Sequence, residues 1–154
     1  MNDNPVIREA VEADLPALAA IYSGDDKGGH GDTTDPAALP HYRAAFRRIE
    51  ANPGIRLLVV EKEGEVVGTA QVVLVPALTG RGASRMIVEA VHVRADMRGM
   101  RLGEALMRHC VELGREAGVR LVELTSNARR TDAHRFYERL GFKQSHLGFK
   151  MTLY

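Results

Sequence analysis

The stretch MIVEAVHVRADMRGMRLGEALMRHCVELGREAG, residues 86–118, decides the fold. Its first eight residues, Met86 to Val93, are β-branched and apolar apart from Glu89 and His92, and read as a strand. A short loop with glycine and arginine follows, and the period then changes. Leu102, Leu106, Cys110, Leu113 and Ala117 fall on one helical stripe, while Glu104, Arg108, Glu112 and Arg115 stay on the polar side. The helix is expected to run to about Gly118. VRLVELTS, residues 119–126, is the next strand. Strand, helix, strand in one unit implies a parallel pair with a crossover between its members.

Upstream, VIREA is a short strand, followed by a helix in which Asp14 can cap, Pro16 suits the first turn, and Leu15, Leu18 and Tyr22 share a face. SGDDKGGHGDTTD, residues 23–35, is too rich in Gly and Asp to pack as a regular element. Asp35 and Pro36 open a second helix, with Leu39, Tyr42, Phe46 and Ile49 at amphipathic spacing, and Asn52-Pro53-Gly54 stops it. IRLLVVEK and VVGTAQVVLVP form a hairpin around Gly64. Downstream, DAHRFYERLG is a short helix, and GFKQSHLGFKMTLY, residues 141–154, is expected to form a terminal strand or pair of strands. The expectation is a single α/β domain over 1–154, with helices on both faces of a mixed, mostly antiparallel twisted sheet.

Composition narrows the function classes. The 154 residues are 45% apolar and 27% charged, the proportions of an ordinary globular domain. Lys and Arg number 21 against 20 Asp and Glu, so no charge excess favours nucleic acid or a membrane surface. The first residues carry no basic-then-apolar pattern, and no apolar run reaches spanning length. One cysteine rules out a disulfide framework within the chain. A cytoplasmic domain is expected, with neither nucleic acid nor membrane as partner.

The loop at 97–103 carries the chemistry. A strand, a glycine-bearing turn and a helix start together aim backbone N–H groups and the positive end of a helix at an anion. Arg98 and Arg101 can add charge-assisted hydrogen bonds suited to phosphate geometry. A pyrophosphate fits this pattern. RGMRLGEA lacks the G-x-G-x-x-G of a dinucleotide loop and the Gly-Lys-Ser/Thr end of a P-loop, which counts against a nucleotide-binding oxidoreductase.

Three segments in order, IREAVEADLPAL, VHVRADMRGMRLGEALM and AHRFYERLGF, resemble the GNAT superfamily of acetyl-CoA-dependent N-acetyltransferases across almost the whole chain. The central one is similar to the family's acetyl-CoA signature, Arg/Gln-x-x-Gly-x-Gly/Ala. Arg98 and Gly103 match its ends, Met100 and Leu102 fill variable places, and Arg101 stands where the family has its middle glycine. An arginine there is expected to need an unstrained backbone. The resemblance implies a sheet whose central parallel strand pair splays to admit acetyl-CoA as cosubstrate. Backbone groups of Val91 and Val93 would pair with the pantetheine arm, and the loop of Arg98, Gly99, Met100, Arg101, Leu102, Gly103 and Glu104 would hold the pyrophosphate. Asn127 would hydrogen-bond the cofactor, and Arg130, replacing a usual asparagine, would meet a phosphate. Within 1–154 it divides the chain into an acceptor side at 23–51, an acetyl-CoA-binding strand, loop and helix at 86–118, and a catalytic helix with terminal strands at 120–154. A homodimer is compatible with it, since many members form one.

Acetylating an amine needs a neutral nitrogen, a stabilised oxyanion and a proton for the departing thiolate. By the resemblance Tyr137 is the acid. Glu89, a carboxylate in an apolar strand, is the expected base; simple alternation puts it on a face with Ile87, Val91 and Val93, with His92 on the other face. The aspartates of 23–35 could draw in a cationic amine, a small primary one being the expected acceptor. The stretch ELTSNARRTDAHRFYERLGFKQSHLGF is similar to aminoalkylphosphonate N-acetyltransferases, in which case Arg129, Arg130 or His146 could face an anionic group. Weaker readings are a metal at Asp25, Asp26, His30 and Asp32, a Ser145–His146–Asp132 triad, and Cys110 as nucleophile, which its place on the apolar stripe disfavours. No metal is expected. The competing functions are a non-catalytic acyl-CoA sensor on the same fold, or transfer to a protein or peptide amine.

Overall fold

The computed structural model describes residues 4–25 and 30–154. Its elements in chain order are β1 (Val6–Glu9), α1 (Leu15–Ser23), α2 (Leu39–Glu50), β2 (Ile55–Lys62), β3 (Glu65–Val75), a single irregular turn α3 (Thr79–Gly82), β4 (Arg85–Val93), α4 (Leu102–Glu116), β5 (Leu121–Glu123) and α5 (Thr131–Arg139). The strands make one sheet in the order β1-β2-β3-β4-β5, antiparallel except for the parallel pair β4–β5. The hairpin forms as expected. Glu63 and Gly64 both take positive φ, 52° and 79°, the two-residue turn whose twist matches the flanking strands.

Period-two alternation divides the core between two faces. Leu58, Val60, Val67 and Val72 pack against Leu102, Leu106, Met107 and Cys110 of α4. Leu57 and Val59 meet Leu15, Leu18 and Phe46 of α1 and α2 on the other side. Helices therefore cover both faces, and the mixed α/β architecture is the one expected.

Four local expectations need correcting. Asp14 does not cap α1 with its side chain. Its buried carboxylate instead accepts the Val11 N–H at 2.8 Å and both ends of the Arg8 guanidinium, closing the turn before the helix. α4 stops at Glu116, leaving Ala117 exposed beyond the apolar stripe. No strand forms over 141–154. Finally, β4 carries a bulge. Gln71 pairs with Glu89 and Thr69 with His92, so three steps on β4 match two on β3, and Ala90 takes φ 50°.

The bulge resets the alternation. Val91 and Val93 return to the α4 face beside Met86 and Val88, and His92 comes to the face of Ile87 and Glu89. Glu89 and His92 are thus on one side of the sheet, the reverse of what strict alternation predicts.

Candidate active site

β4 and β5 pair only from Arg85–Leu121 to Ile87–Glu123. β4 continues to Val93 with β3 on one side but no strand on the β5 side, so the sheet forks and leaves that edge of β4 unpaired at Val91 and Val93. The fork is the splay that the resemblance implies.

At its mouth lies the loop into α4. Gly99 takes φ 83°, and Arg101, the residue before the helix, takes φ 60° and ψ 20°. Arg101 is therefore left-handed, in the conformation glycine adopts freely and other L-residues adopt at a cost. The expectation of an unstrained backbone there is overturned: the chain keeps the glycine geometry with an arginine in place. No side chain caps the helix. Its first internal hydrogen bond runs from Ala105 N–H to Arg101 C=O at 3.1 Å, so the N–H groups of Leu102, Gly103 and Glu104 point out of the helix start unclaimed among the described residues. Arg98 and Arg101 are exposed and form no ion pair among the described residues, whereas Glu104 is tied to Arg108 at 2.8 Å, which lowers its pKa. A bare helix start with two unengaged guanidinium groups fits a pyrophosphate. A Cβ on Gly103 would meet Phe136 Cζ at 3.5 Å and Val93 Cγ2 at 3.7 Å, both ordinary contacts, so the protein's own packing does not demand glycine there.

Phe136 of α5 packs against the core cluster that includes Leu102 in the first turn of α4. Tyr137 follows it, half-buried against the same core as Val91 and Val93, with its ring 5.2 Å from Phe136 and 6.1 Å from Phe142. Burial raises the pKa of its hydroxyl, with Arg130 pulling the other way, and the hydroxyl makes no hydrogen bond among the described residues. It is a protonated donor at neutral pH.

On the other side, the end of α1, the bulge and the start of α5 meet in a charged cluster. Arg130, at the N-cap of α5, donates a hydrogen bond to the Asp25 carboxylate. His92 Nδ1 lies 3.8 Å from the same carboxylate, and its ring stands edge-on to Tyr22 at 5.3 Å. Burial lowers the His92 pKa, against the pull of Asp25, so the imidazole is neutral at neutral pH. A cavity of about 120 Å³ opens between this cluster and the loop, lined by His92, Val93, Arg98 and Gly24 among others. A second, of about 260 Å³, lies between α1 and α2 beside Tyr42, whose hydroxyl donates to Asp32 at 2.8 Å.

The residues singled out from the sequence sort as follows. Glu89 is exposed rather than enclosed in the strand. Arg130 pairs with Asp25 at the N-cap of α5. Asn127 spends its side-chain oxygen on the Arg129 N–H at 2.9 Å and its carbonyl on His134, leaving only its amide nitrogen for a guest. Cys110 is fully buried and its thiol is pushed up to about 12 by burial, which removes it as a nucleophile. Ser145 and His146 touch at 2.6 Å, but in an exposed segment rather than a strand. Of the metal reading, Asp26 lies outside the described residues, and among those described no group of three candidate ligands converges. The pairing of Asp25 with Arg130 was missed. The two are 105 residues apart and nothing local announces the contact.

The model of the acetyltransferase (GNAT) family matches residues 16–142. The chain belongs to that family, and is an acetyl-CoA-dependent N-acetyltransferase. Among curated relatives, the aminoalkylphosphonate N-acetyltransferase of Salmonella typhimurium is 37% identical over 112 residues, 73% of this chain and 72% of that protein. The L-methionine sulfoximine/L-methionine sulfone acetyltransferase of Pseudomonas aeruginosa is 32% identical over 146 residues, 90% of this chain and 80% of that one. A crystal structure described as a transcriptional regulator from Bacillus halodurans superposes with a TM-score of 0.93 at 35% identity, covering 97% of this chain and all of its own.

Proposed function

We propose that this chain transfers the acetyl group of acetyl-CoA to the primary amine of a small molecule that also carries an acidic group, by direct attack and without a covalent enzyme intermediate. The observation that carries the reading is the Asp25–Arg130 pair beside the bulge of β4. A small amine with an anionic substituent can satisfy both partners at once, its anion on Arg130 and its ammonium toward Asp25. The two relatives named above act on amines of that kind by their names, an aminoalkylphosphonate and methionine derivatives.

In this account Val91 and Val93 offer the unpaired edge of β4 to the pantetheine arm. Arg98, Gly99, Met100, Arg101, Leu102, Gly103 and Glu104 cradle the pyrophosphate, and the Asn127 amide supports the cofactor. An alkylammonium with a pKa of about 10 must lose its proton before attack. Glu89 takes it, directly or through water. The nitrogen then forms the C–N bond as the C–S bond breaks, Tyr137 donates its proton to the departing sulfur, and the second proton shed by the new amide nitrogen returns to the Tyr137 oxygen, directly or through water. His92 is a second candidate base, favoured by its neutral imidazole on the same face as Glu89. A Glu89→Gln variant whose activity recovers as pH rises identifies Glu89. The same recovery in His92→Gln, with Glu89→Gln unaltered, identifies His92.

The substrate reading is tested by a CoA-thiol release screen over aminoalkylphosphonates, amino acids, polyamines, aminoglycosides and peptides. Release is expected with the small anionic amines, and Arg130→Ala should raise KM for them. Fastest release with polyamines or peptides refutes the acceptor class. Binding of acetyl-CoA with no release above hydrolysis favours the non-catalytic sensor instead.

A further inference from the structure

Glu104 puts a negative charge beside a site built for an anion. It is the third residue of α4, and its own N–H is one of the three that the helix start leaves unclaimed among the described residues. A glutamate at this position habitually turns back to accept the N–H of the residue before the helix, the return half of a capping box. The positive end of the helix favours the same move. Turned back, the carboxylate would lie where the pyrophosphate of acetyl-CoA is proposed to lie, an anion of the chain's own competing with that of the cosubstrate.

In the structure the side chain is engaged one turn further along instead. Its Oε1 accepts from Arg108 twice, from Nη2 at 2.8 Å and from Nε at 3.2 Å, and the carboxylate has no other hydrogen-bond partner among the described residues. Arg101, directly before the helix, receives no side-chain cap. The Arg108 hydrogen bonds lower the Glu104 pKa, and the fields of Arg101 and Arg139 add to them, so the carboxylate stays ionised at neutral pH and cannot leave the competition by taking up a proton. The same helix supplies an internal comparison. Arg115 pairs with Glu112 at 3.1 Å, about 15 Å from the helix start at 1.5 Å per residue. That second pair is an ordinary surface contact, whereas the first engages a carboxylate that flanks the anion site.

We infer that Arg108 is a positioning residue for the cosubstrate: by holding the Glu104 carboxylate one turn along α4, it keeps the helix start open to the pyrophosphate. Arg108 acts through Glu104 and has no contact of its own to make with acetyl-CoA. With Glu104 neutralised in this way, Arg98 and Arg101 face the anion without an opposing charge, and neither has an ion-pair partner among the described residues. The inference rests on the proposed placement of the pyrophosphate and does not depend on the acetyl acceptor.

A double-mutant cycle on the full chain tests it, read as Kd for acetyl-CoA by isothermal titration at fixed salt, with far-UV circular dichroism as the control for folding. Arg108 is exposed, so its replacement should leave the fold intact. Arg108→Ala should weaken acetyl-CoA roughly threefold to tenfold, the effect of one released charge about 5 Å from an anion in a wet site, and kcat at saturating acetyl-CoA should not change. Glu104→Gln should bind at least as tightly as the wild type. Adding Arg108→Ala to it should change affinity by less than about twofold, because no carboxylate remains to be held. Arg115→Ala, which opens the distant pair, should bind as the wild type does. Equal losses from Arg108→Ala with and without Glu104→Gln overturn the inference, since Arg108 then acts only through its own charge. A loss matched by Arg115→Ala overturns it too, as does an Arg108→Ala variant that binds normally. Arg101→Ala separates the failures: if it alone weakens binding, only the role of Arg108 falls, and if neither variant does, the placement of the pyrophosphate falls with it.

Discussion

Arg101→Gly is the substitution that most sharply separates geometry from charge at the loop. Arg101 is left-handed at φ 60° and stands directly before α4 with no capping side chain. Holding an L-residue there costs roughly 1–2 kcal/mol. Glycine removes that cost, while the greater freedom it gives the unfolded chain takes back about 0.5–1 kcal/mol. The net expectation is stabilisation by about 0.5–1 kcal/mol, which for a chain of this length raises Tm by roughly 1–4 °C. Arg101→Ala keeps the same backbone penalty and loses the same charge, so it should show no gain in Tm. Both variants lose a guanidinium from the mouth of the fork, so acetyl-CoA should bind each of them more weakly, by a similar factor that shrinks as salt is raised. Thermal unfolding followed by circular dichroism, with and without acetyl-CoA, reads both effects. If the glycine variant is no more stable than the alanine variant, the left-handed assignment at Arg101 fails. If affinity is unchanged in both, Arg101 does not meet the cofactor.

Tyr137→Phe should lower kcat while leaving acetyl-CoA affinity intact, because it removes a proton donor and keeps the ring that packs against Phe136 and Phe142; an unchanged kcat in steady-state assays removes Tyr137 as the acid. Asp14→Asn should cost about 1–2 kcal/mol, the worth of charge-assisted hydrogen bonds to an Arg8 that is a third exposed and keeps Glu61 as a partner. Its wild-type contribution has a definite sign with pH. The Arg8 hydrogen bonds hold the Asp14 pKa below its ordinary 3.8, so the stabilisation is complete above that value and is lost as pH falls through the lower folded value. Urea unfolding of wild type and variant should therefore converge in strong acid, and parallel curves refute the assignment. His92 acts near neutrality. Its pKa is depressed in the fold, so the unfolded chain takes up a proton first, and stability should decline as pH drops below about 6.5. His92→Gln should flatten that part of the pH dependence, and an unaltered slope shows that another group causes it.

Much of this architecture was legible because local rules agreed with one another. The hairpin follows from two apolar runs around Gly64, the entry to α2 from Asp35, which accepts the Ala37 N–H at 2.9 Å in the 3₁₀ turn before the helix, and α4 from a stripe that is buried from Leu102 to Leu113. The face of Glu89 was not legible, because the bulge sits on Ala90, a residue that carries no turn signal; the extra residue it inserts shifts every later side chain of β4 to the opposite side. The Arg101 conformation was hidden in the same way, since nothing in an arginine codes for positive φ. Residues 141–154 show the converse: the sequence predicts a terminal strand or pair of strands there, but a strand also needs a partner edge, and none forms over these residues. The Asp25–Arg130 pair is a product of tertiary packing between α1 and α5 and leaves no local trace.

The central claim, that the bare start of α4 holds the pyrophosphate of acetyl-CoA, is tested most directly by isothermal titration of acetyl-CoA into wild type and Gly103→Asp. The new side chain starts from a Cβ in ordinary contact with Phe136 and Val93, and a carboxylate in the first turn favours the helix by roughly 0.3–1 kcal/mol, so the fold should be kept or slightly stabilised. The same charge faces the anionic guest, and affinity should fall at least tenfold, about 1.4 kcal/mol. A folded Gly103→Asp that binds acetyl-CoA as tightly as the wild type would contradict the account.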